Sequence, residues 1–186
     1  MQGMRYPAFF AYAKARRGGG DRRVIRLVGA RMLKNGGKTG NMRAVVQRVK
    51  RTTLSVNGEL ISEIPFGLTV FLGVTTGDTQ KEAAYLAKKI ANLRIFEDEN
   101  GKMNLSVKDV GGEVLLVSQF TLYGDASHGN RPSFTLAARP EIAEPLYEYV
   151  IDEVKTYGIT VKKGVFGADM QIVQHNDGPV TILLEA

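Results

Sequence analysis

Cysteine is absent from the 186-residue chain, and histidine occurs only twice. Without cysteine the protein has no disulfide, no Cys-ligated zinc site and no thiol nucleophile. Two histidines are too few for a His-rich metal site. The sequence also contains no Walker loop, no GxGxxG after a strand, no GxSxG elbow and no HExxH motif. The usual signatures of phosphate, dinucleotide and metal chemistry are therefore missing.

Long hydrophobic runs are missing as well. The longest apolar run, Leu68–Val74, is far shorter than the roughly 20 residues that cross a bilayer. Residues 1–41 lack the continuous apolar core of a secretory signal. Together with the absence of cysteine, this favours a cytoplasmic protein without a membrane partner.

Positive charge is concentrated at the start of the chain. Residues 1–41 contain ten Lys or Arg and one acid, a net charge of +9, whereas residues 42–186 carry a net charge of −3. We therefore interpret 1–41 as a basic extension and 42–186 as the folded domain. Three explanations of the extension stay open: a flexible basic tail, an upstream start codon with the natural protein beginning at Met42, and a targeting peptide.

Hydrophobic periodicity predicts the elements of the 42–186 domain. A capping box at Thr79 predicts the start of one helix, and a second helix is expected over 140–157. Strands are predicted over the following stretches: Arg43–Val49, Thr52–Val56 and Glu59–Ile64 as a hairpin, Gly67–Val74, Gly112–Phe120, Thr160–Val165, Asp169–Gln174 and Pro179–Leu184. The order, summarised as β3-α-β-α-β3, indicates a layered α/β domain rather than a doubly wound nucleotide-binding fold.

Two segments carry polar groups that a scaffold does not require. Ser118–Asp125 (SQFTLYGD) ends an apolar strand in Ser, Gln and a hydroxyl-rich turn, and strand ends hold polar groups rigidly beside clefts. Asn176–Thr181 (NDGPVT) predicts a tight turn in which Gly allows an unusual φ and the Pro imide can be cis. From the pattern alone, ordinary turn chemistry is the simpler explanation of both segments, and the functional interpretation stays open beside it.

The two segments together resemble the signature motifs of the D-aminoacyl-tRNA deacylases, the D-tyrosyl-tRNA deacylase type. Met42–Val49 (MRAVVQRV), Gly129–Phe134 (GNRPSF) and Phe166–Gln171 (FGADMQ) agree with that family in the same order. The resemblance extends over 42–186 and begins at a methionine, which favours an upstream or extended start.

This resemblance implies a fold, an activity and partners. The implied fold is a three-layer α/β/β domain. The implied activity is hydrolysis of the ester that joins a D-amino acid, or mischarged glycine, to the 3′ end of tRNA, a step of translation quality control. The implied assembly is a homodimer without metal or organic cofactor.

The resemblance also implies site residues. Ser118, Gln119, Phe120 and Thr121 correspond to a Ser-Gln-Phe-Thr active-site motif. Gly178 and Pro179 correspond to a Gly–cis-Pro motif that enters the active site of the other subunit and excludes L side chains by steric clash. Three further residues are implied to brace or line this pocket: Arg48, Phe166 and Met170. Tyr123 departs from the smaller residue that the resemblance implies at the rim.

The sequence is compatible with two mechanisms of ester hydrolysis. Thr121 can be the nucleophile, although no base stands beside it in the sequence. We prefer the alternative in which the terminal ribose 2′-OH activates water, while backbone N–H groups near Phe120 and Thr121 bind the oxyanion. Outside catalysis, a non-catalytic RNA-binding module and a small dimeric structural protein remain as alternatives.

Overall fold

The computed structural model describes residues 41–186. The predictions for residues 1–40 lie outside these described residues. The described elements are β1 (Arg43–Val56), β2 (Glu59–Ile64), β3 (Gly67–Gly73), α1 (Gln80–Asn92), β4 (Phe96–Glu97), β5 (Met103–Leu105), β6 (Glu113–Ser118), a 3₁₀ turn (Phe120–Tyr123), α2 (Pro140–Thr156), β7 (Val161–Lys163) and β8 (Met170–Glu185). The predicted mixed α/β class is confirmed, and the three-layer description stays a prediction.

Six of the strands form one sheet that is built around β1. β1 pairs antiparallel with β2, β3 and β8, and the sheet continues from β3 to β6 and β7. The pairs β3–β6 and β6–β7 are parallel, and α1 and α2 provide the two crossovers that parallel pairing requires. As a consequence, the carboxyl ends of β3, β6 and β7 lie at the same edge of the sheet.

The first helix begins where the sequence predicts. Thr79 is the N-cap of α1, and Thr79 and Glu82 form the reciprocal hydrogen bonds of a capping box. The side-chain hydrogen bond from Thr79 holds the pKa of the Glu82 carboxyl below its usual value. The charged carboxylate also lies in the first turn, where the helix dipole stabilises it.

Two buried apolar clusters lie on opposite faces of β6. Alternation along the strand sends Val114 and Leu116 to one cluster and Leu115 and Val117 to the other. The larger cluster contains the buried faces of both helices: Leu86, Ile90, Leu146, Tyr147, Val150, Ile151 and Val154. The smaller cluster is completed by Leu54 of β1 and Ile64 of β2, among others. β6 is therefore covered on both faces, which explains its continuous apolar sequence.

Two predicted interruptions of the strands are wrong. β1 runs without a break from Arg43 to Val56, where the sequence analysis placed two strands, and β8 runs from Met170 to Glu185 through the predicted turn. The two long strands pair with each other over most of their length. This ladder satisfies the backbone groups of both strands and overrides the local turn signals.

The Asn-Asp-Gly-Pro segment forms a bulge in β8 rather than a turn between two strands. β8 pairs with β1 at Gln47↔Thr181 and again at Val49↔Asn176, so that Arg48 alone stands opposite residues 177–180. Within the bulge Gly178 has a φ of +119°, and the Gly178–Pro179 peptide bond is cis.

Arg48 holds this bulge from the buried side. Its side chain is 7% exposed, and its Nε lies 3.1 Å from Asp177 Oδ2 and 3.3 Å from the Asp177 carbonyl oxygen. Its Nη1 donates to the carbonyl of Ile95 at 2.6 Å. Because Ile95 follows α1, a single guanidinium joins the bulge to the helical side of the domain. The planar fork of donors makes arginine suited to this task.

The substitution Arg48→Met is expected to lower the free energy of unfolding by about 2 kcal/mol or more, because it leaves the buried Ile95 carbonyl without its donor. It also leaves the partly buried Asp177 carboxylate with only the more distant Lys50 Nζ, at 3.5 Å, as its cation. Urea unfolding measures the loss. Arg51→Met is the matched control, since the ion pair of Arg51 with Glu63 has side chains that are 58% and 38% exposed, and exposed pairs contribute at most about 1 kcal/mol. Equal losses in the two variants would contradict the bracing role of Arg48.

Candidate active site

A cleft of about 630 Å³ opens at the carboxyl ends of β3 and β6. Its walls come from the end of β6, the 3₁₀ turn, the segment that enters α2 and the loop between β7 and β8. Most of its lining side chains are apolar, and Arg139 and Asp169 are the charged ones among them. An apolar cleft with a few placed polar groups is typical of a site for an organic ligand.

The motif residues lie where β6 leaves the sheet. Ser118 is the last residue of β6, and the N–H of Gln119 still donates to the carbonyl of Leu72 in β3 at 2.7 Å. The side-chain amide of Gln119 donates to the Thr121 hydroxyl oxygen, so these two side chains are held together. An amide N–H cannot take a proton from the hydroxyl, and Gln119 therefore does not activate Thr121 as a nucleophile.

Phe120 presents an aromatic ring to solvent at the rim of the cleft. The residue is 57% exposed, and its ring packs edge-to-face on Phe134 with 5.2 Å between centroids. Phe134 thereby fixes the orientation of the Phe120 ring. An exposed ring in a fixed orientation can stack on a planar group of a ligand.

The 3₁₀ turn offers two backbone donors. The N–H groups of Phe120 and Thr121 have no acceptor within residues 41–186, as is usual for the first N–H groups of a helical turn. The turn is closed by the N–H of Leu122, which donates to Gln119, and by that of Gly124, which donates to Thr121. Two adjacent free N–H groups at a strand end can stabilise the oxygen of a tetrahedral intermediate.

Phe166 and Met170 form the opposite wall. Both line the same cleft as Ser118, Gln119 and Phe120, so the structure brings these five predicted residues together. Phe166 packs on Tyr147 of α2 at 5.9 Å between ring centroids, and the Tyr147 hydroxyl donates to the buried carbonyl of Leu116 at 2.9 Å. Burial raises the pKa of the Tyr147 hydroxyl, which keeps it a neutral donor.

The remaining predicted residues lie outside this lining. Thr121 is exposed beside Gln119, and Gly178 and Pro179 are exposed on the β8 bulge. Arg48 lies beneath that bulge rather than in the cleft. Within a single chain the structure therefore does not bring the Gly178–Pro179 dipeptide to the Ser118–Thr121 motif.

Sequence reasoning missed several residues of the cleft. Phe134 and Asp169 belong to segments that carry the family resemblance, but nothing in the pattern singles them out as lining residues. Pro favours the first turn of a helix, so Pro140 marks the start of α2 in the sequence. Arg139 could therefore have been placed at the N-terminal end of this helix. Tyr147 shows only the periodicity of a core residue.

The described part of the chain contains neither a metal-ligand cluster nor a membrane-spanning helix. Within residues 41–186 no three His, Asp or Glu side chains lie close enough together to hold a metal ion. In the same part of the chain no helix has the length and hydrophobicity to cross a membrane.

Comparison with known proteins assigns the family. Residues 45–185 match the family model described as D-Tyr-tRNA(Tyr) deacylase. A D-aminoacyl-tRNA deacylase of Bacillus cytotoxicus is 54% identical over 145 residues, which are 78% of this chain and 99% of that protein. A protein of the same name from Bacillus cereus is 55% identical over 145 residues, with the same shares of the two chains.

Solved structures agree with this assignment. One described as c-Myc DNA Unwinding Element Binding Protein is 47% identical, with a TM-score of 0.73 over 77% of this chain and 98% of that chain. A probable eukaryotic D-amino acid tRNA deacylase has the same fold, with a TM-score of 0.69 at 16% identity over 78% of this chain and 100% of that chain. The resemblance inferred from the motifs is thereby confirmed, and the chain belongs to the D-aminoacyl-tRNA deacylase family.

Proposed function

We propose that the protein hydrolyses the ester bond between a D-amino acid and the 3′-terminal adenosine of tRNA. The observation that carries this proposal is the cleft in which Ser118, Gln119 and Phe120 face Phe166 and Met170, in a chain of this family. Relatives that are more than half identical are named D-aminoacyl-tRNA deacylases. Glycyl-tRNA is the second expected substrate, because glycine has no side chain that a chirality filter can exclude.

The cleft suits an aminoacyl-adenosine in size and in chemistry. Its volume of about 630 Å³ lies within the ordinary range of ligand sites. The exposed Phe120 ring offers a surface on which a base or an aromatic side chain can stack. Arg139 adds a cation to the cleft, where the phosphodiester next to the terminal adenosine can pair with it.

The chemistry assigned to the site uses backbone donors. Water adds to the ester carbonyl carbon, the bond from that carbon to O3′ breaks, and O3′ leaves with a proton. The products are tRNA with a free 3′-hydroxyl and the free D-amino acid. We assign stabilisation of the oxyanion to the N–H groups of Phe120 and Thr121, and activation of the water to the ribose 2′-OH of the substrate. Gln119 and Thr121 position these groups.

Chirality is assigned to a second copy of the chain. Gly178 and Pro179 are exposed and are not among the residues that line their own cleft, which leaves them free to enter the cleft of a partner. A rigid backbone wall rejects an L side chain by steric clash, whereas a pocket that merely fits the D side chain discriminates weakly. The functional unit is then a homodimer.

Residues 42–186 form the catalytic domain in this proposal, and the cytoplasm, where aminoacyl-tRNA is used, is its compartment. The basic residues 1–41 can add RNA affinity that weakens with salt. A nucleic-acid-binding role without catalysis is the second candidate, because the 47% identical structure is described as a DNA-binding protein.

The purified full chain is expected to deacylate D-tyrosyl-tRNA at least about 100-fold faster than L-tyrosyl-tRNA, because steric exclusion exceeds the discrimination of a fitted pocket. Release of radiolabelled tyrosine from the two matched substrates measures the ratio. Equal rates would contradict the chirality filter. Binding of both tRNAs without release of either amino acid would favour the nucleic-acid-binding role instead.

Thr121→Val is expected to reduce deacylation by less than tenfold, because the hydroxyl positions groups and is not the nucleophile. By contrast, a tRNA that ends in 2′-deoxyadenosine should react about 100-fold more slowly or worse, because it lacks the hydroxyl that activates the water. Single-turnover rates with D-tyrosyl esters of both tRNAs give the comparison. A loss near a thousandfold in the Thr121 variant, with tRNA binding intact, would contradict the RNA-assisted mechanism.

Gly178→Ala is expected to raise the rate on L-tyrosyl-tRNA relative to D-tyrosyl-tRNA by about tenfold or more, because the new methyl group displaces the excluding wall. A Cβ on Gly178 would lie 2.8 Å from Val180 Cγ2 and 2.9 Å from the Val180 backbone nitrogen, at a φ of +119°. Gly111→Ala is the matched control, since Gly111 has a φ of +65° and open space around its Cβ position.

Sedimentation of the same samples tests the arrangement of subunits. A monomer that still discriminates D from L substrates would contradict the cross-subunit assignment. An unchanged L-to-D ratio in the Gly178 variant would contradict the role of the bulge itself.

A further inference from the structure

Tyr123 anchors the 3₁₀ turn in the interior of the domain. It is the only buried side chain of that turn, at 3% exposure, whereas Phe120 is 57% exposed. Its hydroxyl donates to the carbonyl of Asn41 at 2.7 Å and lies 3.1 Å from the carbonyl of Gly73. A phenol has one proton to share between these two acceptors. Burial raises the pKa of the Tyr123 hydroxyl, which therefore remains a neutral donor.

Arg43 covers the other side of this anchor. Its guanidinium carbon lies 5.1 Å from the centroid of the Tyr123 ring, a cation–π contact. Its Nη1 donates to the carbonyl of Leu122 at 3.1 Å, and its Nε lies 3.1 Å from Glu185 Oε1. The first residue of β1 thus holds both the ring and the backbone of the turn.

Asp78 holds Asn41, the residue whose carbonyl accepts the Tyr123 hydroxyl. It is 6% exposed, and its two carboxylate oxygens accept backbone N–H groups from Asn41 at 2.8 Å and from Thr75 at 2.7 Å. Asn41 is therefore fixed through its N–H by Asp78, while its carbonyl receives the Tyr123 hydroxyl. These contacts form one continuous path from Asp78 through Asn41 to Tyr123.

The turn also packs directly against β3. A Cβ on Gly73 would lie 2.9 Å from the Tyr123 ring and 3.1 Å from the carbonyl oxygen of Gln119. Only glycine leaves room for this approach. The backbone of the turn is thus held against the sheet, and Tyr123 is its one side chain that reaches a buried acceptor.

We propose that Tyr123 is a positioning residue for ester hydrolysis, whose hydroxyl holds the 3₁₀ turn so that the N–H groups of Phe120 and Thr121 face the reacting carbonyl. This inference rests on the proposed function. Stabilisation of a transition state by backbone donors depends on their placement, and a small displacement of a donor reduces the rate strongly. Tyr123 itself does not touch the substrate.

The test is Tyr123→Phe, which keeps the ring and its contact with Arg43 and removes only the hydroxyl. The expected result with D-tyrosyl-tRNA is a fall in kcat of about tenfold, with KM unchanged within about twofold, because the donors move while the cleft walls stay in place. Thr69→Val is the matched control. It also removes one buried hydrogen bond, the 2.8 Å contact between Thr52 and Thr69, but lies away from the turn. Its kcat should stay at the wild-type value.

Hydrogen exchange of the free protein supplies a readout that does not require activity. The amides of Leu122 and Gly124, whose N–H groups close the turn, should exchange faster in Tyr123→Phe than in the wild type and at an unchanged rate in Thr69→Val. Unchanged exchange together with unchanged kcat would overturn the inference. Faster exchange in Tyr123→Phe, together with a wild-type protein that releases no D-tyrosine, would instead refute the proposed function and leave the anchoring role in place.

A second variant tests the path through Asn41. Asp78→Asn places an amide NH₂ opposite the backbone N–H of Asn41 or of Thr75, so one of these two hydrogen bonds is lost. The loss loosens the support of Asn41 and Tyr123, and this variant should therefore also lower kcat. Because Asp78 and Tyr123 act on the same turn, the double variant should lose less activity than the product of the two single losses. Losses that simply multiply would contradict the coupling of Asp78 to Tyr123.

Discussion

The backbone ladders of β1 determine where the functional groups lie. Pairing with β1 fixes β3 in the sheet, and the parallel pairing of β3 with β6 then places the carboxyl ends of these two strands side by side, where the cleft opens. Pairing with β8 produces the bulge opposite Arg48, which exposes Gly178 and Pro179. At its start β1 also supports the 3₁₀ turn, through Arg43 and through Asn41 just before it. A shift of one residue in either ladder would reverse the faces of the strand and misplace all three features.

The separation of the cleft from the bulge within one chain is the geometric reason for invoking a second copy. Gly178 and Pro179 are exposed on the bulge and are not among the residues that line the cleft, so in the proposed dimer the bulge of one chain supplies the excluding wall of the other. A symmetric pair would complete both sites at once, since an isologous interface repeats each contact. Arg48 contacts the bulge from the buried side, which is the support that the proposal requires for a solvent-facing dipeptide to act as a rigid surface.

The sequence predicted the parts of this fold that local chemistry controls. The capping box at Thr79 and the apolar stretch of β6 are short-range signals, and both were placed correctly. The continuity of β8 was missed because Asn-Asp-Gly-Pro is a strong local turn signal, and only the partner strand converts it into a bulge. The cleft is lined by segments spread from Leu72 to Ile172, and no local pattern assigns Phe134 or Tyr147 to it. The partner of the Tyr123 hydroxyl, the carbonyl of Asn41, is likewise a backbone atom 82 residues away.

The lack of a GxSxG or HExxH motif in the sequence has a physical explanation in the proposed site. The groups assigned to the chemistry are backbone N–H groups in the 3₁₀ turn and backbone atoms of the β8 bulge, and neither set belongs to a side-chain motif of acids, bases or nucleophiles. Side chains contribute mainly by holding that backbone in place, as Arg48 does for the bulge and Tyr123 for the turn. A site of this kind is encoded in supporting residues that lie beneath the surface rather than in acids and bases that face the substrate. Its rate and its chirality should therefore depend on buried hydrogen bonds at least as much as on the residues that line the cleft.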